Sequence, residues 1–432
     1  MFPMSSRLRK IASLAIPAVV TNVTTPLLAL CDTAIVGHMG SAVYIAAIAV
    51  GGTMFNMLYW LFGFLRMGAS GTTAQALGAG DKAGVNAIFH RGLLMAAAAG
   101  VMMILLRGPL ASGLLLLIDA EGETRALAAT YFGICIWGAP AVLGTFALTG
   151  WLLGMQNSRI PMWVSIFINV FNIALSLTLV YGVGMGIRGV ATGTLCAQWA
   201  GFLLTAGAAI RRYGRPRAAW SAVIERSGLK RFFRINTDIF LRTLCLVAIT
   251  LWFTRVGATQ GDVMLAVNTL LMQLFTIFSY MMDGIAFAGE ALCGLNAGAG
   301  KRDELRRTVR ALCLLGLVCS VLFTVIYFAG GDAFLSLLSS DREVVARSEE
   351  YFGWAVSIPL VSVMAFVMDG VMIGLTRTRA MLASMAIGAA VYFTLYALLF
   401  PSMGNHGLWI AFLSYLLVRS LTLTGIYLYS SR

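Results

Sequence analysis

The chain has 432 residues, of which 59% are hydrophobic and only 11% are charged, and its mean hydropathy is +0.86. Soluble domains carry charge on about 25% of their residues. The composition therefore excludes an ordinary soluble protein and predicts one whose partner is a lipid bilayer. The formal net charge is +13. Because most of the basic residues fall in alternate loops, we attribute this charge to membrane topology and expect no nucleic-acid partner.

Twelve apolar stretches are long enough to cross a bilayer as a helix, which requires roughly 18 residues or more. In chain order they lie near residues 11–36, 45–77, 91–115, 124–149, 160–182, 188–210, 236–256, 263–296, 309–330, 350–374, 380–401 and 405–429. The second and eighth exceed what one perpendicular helix needs, so we expect tilt or an extension beyond the hydrocarbon. Unalternating runs of this length exclude a β-barrel.

Most of the basic residues fall in every second loop of this twelve-span arrangement. They are Arg7, Arg9 and Lys10; Lys82 and Arg91; Arg159; Arg211, Arg212, Arg215, Arg217, Arg226, Lys230, Arg231 and Arg234; Lys301, Arg302, Arg306, Arg307 and Arg310; and Arg377 and Arg379. Positively charged loops stay on the cytoplasmic side. The pattern predicts a multi-pass membrane protein with both termini and the 211–235 loop in the cytoplasm.

The second half of the chain repeats the first at an offset of 220 positions, because Gly78-Ala79-Gly80 returns as Gly298-Ala299-Gly300 and Tyr131-Phe132-Gly133 as Tyr351-Phe352-Gly353. The repeat predicts an amino-terminal six-helix lobe at 1–210, a basic cytoplasmic linker at 211–235 and a carboxy-terminal six-helix lobe at 236–432. Six is even, so the two lobes should be parallel repeats. Two such bundles around a central cavity are typical of a transporter.

The linker contains Gly214, Pro216 and Gly228 among its basic residues. Its 218–224 stretch is a candidate for a short surface helix. We interpret the linker as a solvated tether between the two bundles.

The chain lacks the motifs of the common enzyme classes. It contains no Walker-type nucleotide loop, no nucleophile elbow and no cluster with metal-ligand spacing. Its seven cysteines lie in apolar segments and form no CxxC pair. We therefore expect neither enzymatic activity, nor a cofactor, nor a metal site.

Several ionisable residues lie inside the predicted spans, where each costs at least about 2.5–3.5 kcal/mol. Asp238 and Arg242 are four residues apart on a helix and are a candidate ion pair. Arg66 and Arg419 either extend to the membrane surface or pair with an acid, and the sequence does not distinguish these outcomes.

Asp32 lies deep in the first span with no basic residue within one or two helical turns. A lone carboxyl group in hydrocarbon is either protonated or bound to a cation, and its affinity changes when water reaches it. Asp32 is therefore a candidate for coupling ion movement to a conformational change. The alternative is a carboxylate that is only hydrogen-bonded to nearby backbone or hydroxyl groups.

The segment from Asp32 to His38, Asp-Thr-Ala-Ile-Val-Gly-His, resembles the first-helix signature of the multidrug and toxic compound extrusion (MATE) family. Further segments resemble its DinF branch. They are Leu65-Arg66-Met67, Thr73-Ala74-Gln75-Ala76-Leu77-Gly78-Ala79, Trp151-Leu152-Leu153-Gly154, Asn236-Thr237-Asp238-Ile239, Asp283-Gly284, Asp369-Gly370 and Ile373-Gly374. Their order spans nearly the whole chain.

The resemblance implies twelve helices in two lobes and export of amphipathic, often cationic, organic molecules driven by a proton or sodium gradient. It also implies a cation-coupling site of Asp32, Asn172 and Thr194, with Ser176 at a position where many relatives carry a second carboxylate. Sodium gains from negative charge, whereas a proton needs one basic oxygen, so the departure at Ser176 favours protons. Pro17 matches a proline at which helix bending has been proposed in relatives, although a static kink would also explain it. We expect a monomer.

The second half contributes three further intramembrane acids. Asp283 and Glu290 are seven residues apart and share one helix face, and Asp369 matches a functional acid of other branches of the family. These acids are candidates for a second proton route. The rival interpretation is structural pairing, with Arg242 or Arg66 as the basic partner.

Two other functions stay open at this point. A flippase for a lipid-linked or amphipathic substrate, in the related superfamily, would require a cationic cavity, whereas the deep residues are mainly acids. A structural or channel-like membrane protein would have no coupled cycle.

Overall fold

The computed structural model describes residues 4–37, 42–119, 121–338 and 341–430. The chain is 92% helical, and the described residues contain no strand. Eleven helical stretches within them are long and apolar enough to cross a membrane, and the first helix is itself 34 residues long. The predicted all-α integral membrane fold is confirmed.

The described residues of the first half form nine α-helices. They are α1 (Met4–Gly37), α2 (Ala42–Leu61), α3 (Phe64–Gly78), α4 (Lys82–Leu105), α5 (Arg107–Ile118), α6 (Gly122–Cys135), α7 (Ala139–Gly154), α8 (Arg159–Leu177) and α9 (Ile187–Tyr213). A 3-10 turn at Ile136–Gly138 joins α6 to α7, and α8 continues into a π-helical turn at Thr178–Gly182.

The remaining helices begin within the linker or after it. They are α10 (Trp220–Val223), α11 (Arg226–Thr259), α12 (Asp262–Gly298), α13 (Arg302–Leu338), α14 (Arg342–Gly374), α15 (Thr378–Met403) and α16 (Asn405–Ser430). The predicted surface helix is therefore present as the single turn α10. The helix of the seventh span begins at Arg226, ten residues before the apolar stretch, because basic and polar residues there continue the helix beyond the hydrocarbon.

The two overlong stretches differ in how they absorb their length. α12 runs unbroken for 37 residues, or about 55 Å at 1.5 Å per residue, so it extends beyond a hydrocarbon core of roughly 30 Å as expected. In the first half, a turn at Phe62 and Gly63 divides the equivalent stretch into α2 and α3. The second stretch therefore forms two shorter helices in place of one long helix.

The chain divides into two compact units. One unit is Ile16–Asn236, and the other comprises Met1–Ala15 together with Thr237–Arg432. The boundary inside α1 lies just before Pro17, and the linker belongs to the first of these units. α1 continues through Pro17 as a helix.

The internal repeat is visible in the backbone of each half. Gly80 and Gly300 have φ of 70° and 68°, and Gln156 and Thr376 have φ of 63° and 53°. The turn hydrogen bonds after α3 recur after α12, with Ala79 N donating to Gln75 O at 2.9 Å and Ala299 N to Leu295 O at 3.0 Å. The same turns therefore end corresponding helices in both halves.

Glycines allow corresponding helix pairs to pack with their backbones in near contact. In the first half, a Cβ on Gly154 of α7 would lie 2.7 Å from Ser70 O of α3. In the second half, a Cβ on Gly374 of α14 would lie 2.7 Å from Glu290 O and 2.9 Å from Gly294 N of α12. Since carbonyl and amide atoms inside a helix cannot move aside, only glycine fits at these positions.

We predict that Gly374→Ala lowers the free energy of unfolding by about 1–3 kcal/mol through overpacking. The matched control is Gly353→Ala on the same helix, since Gly353 is exposed and a Cβ there meets nothing within 4 Å. That change should be neutral or stabilising by up to about 1 kcal/mol. Thermal unfolding of the detergent-solubilised variants measures both effects. Equal melting temperatures would contradict the packing argument.

Candidate functional site

The residues proposed for the cation-coupling site are all buried in the unit Ile16–Asn236, which we call the first-half unit. Asp32 on α1 is 5% exposed, Asn172 and Ser176 on α8 are 0%, and Thr194 on α9 is 8%. Asn172 and Ser176 are four residues apart and so share one face of α8. On α9, a Cβ on Gly193 would lie 3.1 Å from the Ser176 backbone. This close approach lets Asn172 Nδ2 donate a 2.9 Å hydrogen bond to Thr194 Oγ1.

Hydrogen bonds on either side of Asp32 fix the register between α1 and α8. On one side, Asn169 Nδ2 donates to Thr24 O at 2.7 Å. On the other side, Tyr181, in the π-helical turn after α8, donates to Ile35 O at 2.7 Å. Asp32 and Ser176 both lie between these two contacts. The register therefore brings them to the same level of the unit.

Three oxygen atoms of this cluster have no hydrogen-bond partner within the described part of the chain. They are Asp32 Oδ1, Asn172 Oδ1 and Ser176 Oγ, and all three are buried. A buried polar group left unpaired costs about 1–3 kcal/mol. A proton on Asp32 would supply a donor to this acceptor-rich cluster, and a sodium ion would use its oxygens as ligands. The described residues contain no group of three His, Cys, Asp or Glu side chains able to hold a metal.

Tyr131 on α6 adds a group that the sequence did not indicate. It is 5% exposed, its side chain lies close to those of Thr194 and Cys135, and it lies within electrostatic reach of Asp32. In the sequence, the motif Tyr131-Phe132-Gly133 indicated only the internal repeat and no functional role. Nothing in the sequence connected α6 to α1 and α9, because that contact is made only in the folded unit.

A second buried charge cluster lies in the other unit, around Asp369 of α14. Its carboxylate pairs with Arg242 of α11, and Asp369 Oδ2 also lies 2.6 Å from Arg419 Nη2 of α16. Arg419 Nη1 donates a further 2.9 Å hydrogen bond to the Tyr415 hydroxyl. Gly388 of α15 makes room for both residues. All three charged residues are less than 9% exposed, so two guanidinium groups hold one carboxylate.

This cluster replaces the ion pair that the sequence suggested between Asp238 and Arg242. Arg242 reaches Asp369 on another helix, and Asp238 Oδ2 instead accepts a 2.7 Å hydrogen bond from Thr378 Oγ1. Helical spacing alone favoured a pair between Asp238 and Arg242, but the packing of α11 against other helices brings Arg242 to Asp369. For Asp369, the structure agrees with the interpretation of structural pairing, and Arg419 pairs with an acid.

The remaining residues singled out from the sequence lie outside these two clusters or outside the described residues. Glu290 of α12 is 1% exposed and lies where α12 packs on Gly374, whereas Asp283 is half-buried near Tyr280. Thr21 Oγ1 donates a 2.9 Å hydrogen bond to Pro17 O inside α1. His38, the last residue of the first-helix motif, lies outside the described residues.

The MatE family model matches residues 17–178 and 238–398, one match in each half. The chain belongs to the MatE family. Members of this family are membrane transporters and not enzymes. The two separate matches agree with the internal repeat and leave the linker between them.

This MatE chain is similar to known proteins over nearly its full length. It is 36% identical over 417 residues to DNA damage-inducible protein F of Escherichia coli, covering 96% of this chain and 90% of that protein. It is 27% identical over 446 residues to the probable multidrug resistance protein NorM of Deinococcus radiodurans, covering 99% and 96%. The fold is similar to the bent form of the Vibrio cholerae MATE transporter VcmN, with a TM-score of 0.89 at 18% identity over 99% of this chain and 98% of that one.

We predict that Asp369→Asn destabilises this MatE protein, because it leaves two buried guanidinium groups without their carboxylate at a cost of about 3–5 kcal/mol. The control is Asp262→Asn, an exposed acid in the first turn of α12, which should cost less than about 1 kcal/mol. Melting temperature and folded yield in detergent are the measurements. A wild-type melting temperature for Asp369→Asn would rule out the counter-ion role.

Proposed function

We propose that this MatE protein is a secondary active multidrug exporter that exchanges protons for amphipathic, often cationic, organic molecules, with Asp32 as the proton carrier. The observation that carries the proposal is the buried, unpartnered Asp32 Oδ1 beside the unpartnered oxygens of Asn172 and Ser176. The efflux activity follows the relatives, which include NorM, named a probable multidrug resistance protein, and a multidrug resistance MATE transporter solved in an outward-facing conformation.

The composition of the site favours protons over sodium. Asp32 is the one carboxylate in the cluster, and Ser176 contributes a neutral hydroxyl. A proton on Asp32 neutralises the single charge and also provides a donor for an acceptor such as the unpartnered Asn172 Oδ1. Sodium would retain a full charge that one carboxylate and a few neutral oxygens must balance in hydrocarbon.

Proton binding changes the energy of moving Asp32 between water and the protein interior. A neutral carboxyl group is far less costly to bury than a carboxylate, so protonation favours the state in which the site is closed to water. α1 is suited to transmit this change, because the boundary between the two compact units lies inside it, just before Pro17. Pro17 is the proposed hinge, because a proline inside a helix leaves one backbone carbonyl without its helical hydrogen bond.

The remaining features of the proposal follow from composition and topology. The chain contains 22 methionines and 11% aromatic residues, which suit an adaptable apolar binding surface. The protein would act as a monomer in the bacterial inner membrane with both termini in the cytoplasm. In the second unit, Asp369 serves as a counter-ion for Arg242 and Arg419, so the proton route passes through the first unit.

A second candidate function is a flippase for an anionic lipid-linked or amphipathic substrate. The observation that favours it is the pair of buried guanidinium groups that face a single carboxylate in the second unit. Proteoliposomes with imposed proton or sodium gradients, assayed with organic cations and anions, distinguish the two functions. Gradient-driven cation uptake supports the exporter, whereas gradient-independent movement of the anionic lipid supports the flippase.

We predict that Asp32→Asn abolishes proton-driven transport while the protein still folds and inserts. The amide fixes the site in its neutral state, and removing an unpaired buried charge lowers the desolvation cost, so yield should hold or rise. The matched control is Asp238→Asn, since Asp238 is comparably buried but hydrogen-bonded to Thr378. The control should transport at the wild-type rate in proteoliposomes. Normal proton-driven transport by Asp32→Asn would move the coupling site elsewhere.

A second prediction concerns Ser176→Asp, which restores the second carboxylate of the family pattern. Two interacting carboxyl groups titrate as a coupled pair, and their combined charge would favour a bound sodium ion. We expect sodium-driven transport to appear in proteoliposomes, with Ser176→Asn as the isosteric neutral control. Equal sodium dependence of the two variants would refute the argument that missing charge excludes sodium.

A further inference from the structure

The linker between the halves carries a dense, exposed positive charge. Eight basic residues lie between positions 211 and 235 against the single acid Glu225, a net charge of +7, and all eight are exposed. They are Arg211, Arg212, Arg215, Arg217, Arg226, Lys230, Arg231 and Arg234. Membrane topology accounts for the side on which they lie, but not for the defined structure that presents them.

That structure is a clasp built on Arg91 of α4. Arg91 Nε donates to Val223 O at 2.8 Å and Nη2 donates to Ala222 O at 2.6 Å, so the guanidinium group caps the carboxyl end of α10. Asn86 Nδ2 donates to Arg217 O at 3.0 Å. Val223, the last residue of α10, is 2% exposed, so its side chain is buried. The linker is therefore fastened to α4 and is not the freely solvated tether that its composition suggested.

The position of the clasp along α4 indicates that α10 lies at the edge of the membrane. Arg91 stands where the apolar stretch of α4 begins, so a turn held against its guanidinium group lies at the level of the lipid head groups. The first turn of α11 is held at the same level. A Cβ on Gly228 would lie 2.6 Å from Arg91 Nη1, so the guanidinium group packs closely against the first turn of α11.

The outer side of this clasp is apolar. Trp220 is 66% exposed and Ile224 is 62% exposed, while Val223 between them points inward. Tryptophan is enriched where membrane meets water, because its ring is apolar and its N–H is polar. Exposed apolar side chains flanked by basic residues are the composition of an interfacial membrane-binding segment.

We propose that α10 and its flanking basic residues form a docking surface for anionic phospholipid head groups, with Trp220 and Ile224 inserted at the head-group level. We call this set the linker surface: Trp220, Ile224, Arg215, Arg217, Arg226 and Lys230. Charge complementarity selects anionic over neutral lipid. A soluble acidic partner would satisfy the charges but would not explain two apolar side chains presented at the membrane edge. This inference does not depend on the transported substrate or the coupling ion.

Hydrogen–deuterium exchange in lipid nanodiscs tests the linker surface in the full-length protein. Amides of residues 219–224 should exchange at least about fivefold more slowly in equal mixtures of phosphatidylcholine and phosphatidylglycerol than in phosphatidylcholine alone, since each basic residue near an anionic surface contributes about that factor. High salt should reduce the difference by screening. Equal exchange rates in the two lipids would overturn the proposal.

Paired variants separate lipid docking from loss of fold. Trp220→Ser should abolish the lipid-dependent protection, whereas Trp163→Ser on α8, which removes a tryptophan that is 64% exposed, should retain it. Likewise, Arg226→Gln with Lys230→Gln should reduce protection, and Lys301→Gln with Arg302→Gln, which removes equal charge after α12, should not. Unchanged exchange in α4 reports an intact fold, and Ile224→Ser is the substitute should Trp220→Ser disturb it.

One further arm identifies the rival occupant. Soluble polyglutamate added to phosphatidylcholine discs presents negative charge without a lipid surface. Protection of residues 219–224 by polyglutamate that equals the protection by phosphatidylglycerol would overturn the proposal and assign the surface to an acidic protein partner. Failure of the polymer to protect, together with protection by the anionic lipid, supports it.

Discussion

The cost of placing a charge in hydrocarbon is the constraint on which both buried clusters depend. The second-half unit meets it for the carboxylate of Asp369, whose charge is compensated by Arg242 and Arg419. The first-half unit leaves it unmet, because buried oxygens of Asp32 and of its neighbours on α8 have no hydrogen-bond partner among the described residues. A compensated cluster is stable in one charge state, whereas an uncompensated one gains by taking up a cation. The two units therefore suit different tasks, one structural and one in coupling.

This difference in chemistry stands on a duplicated scaffold. Turns after corresponding helices share their hydrogen bonds and their left-handed residues, and Gly154 and Gly374 perform the same packing role. The charged residues of the two buried clusters do not repeat. At the offset of 220, Asp32 corresponds to Trp252 and Asp369 to Thr149. Duplication thus preserved the backbone contacts that fix the helices, while the side chains that carry charge diverged in each half.

Much of this fold could be predicted from the sequence, because long apolar runs and repeated glycines are local signals. The twelve-helix fold and the four residues of the first cluster follow from such signals and from family resemblance. The break at Phe62 and Gly63 was not predicted, since nothing in an apolar run marks where a helix turns. The partner of Arg242 was also missed, because helical spacing reports neighbours within a helix and not across helices. Tyr131 and the Arg91 clasp depend likewise on contacts between distant elements.

The π-helical turn at the end of α8 has a geometric consequence for the cluster beside it. A π turn contains one residue more than an α turn, and one residue corresponds to about 100° of rotation at 3.6 residues per turn. Asn172 and Ser176 precede this turn, and Tyr181 lies within it and is tied to α1. Migration of the extra residue toward the amino end would rotate Ser176 away from α9 while Tyr181 kept its hold on α1. The extra residue of the π turn would thus allow the face of α8 that carries Ser176 to rotate while α8 stays helical.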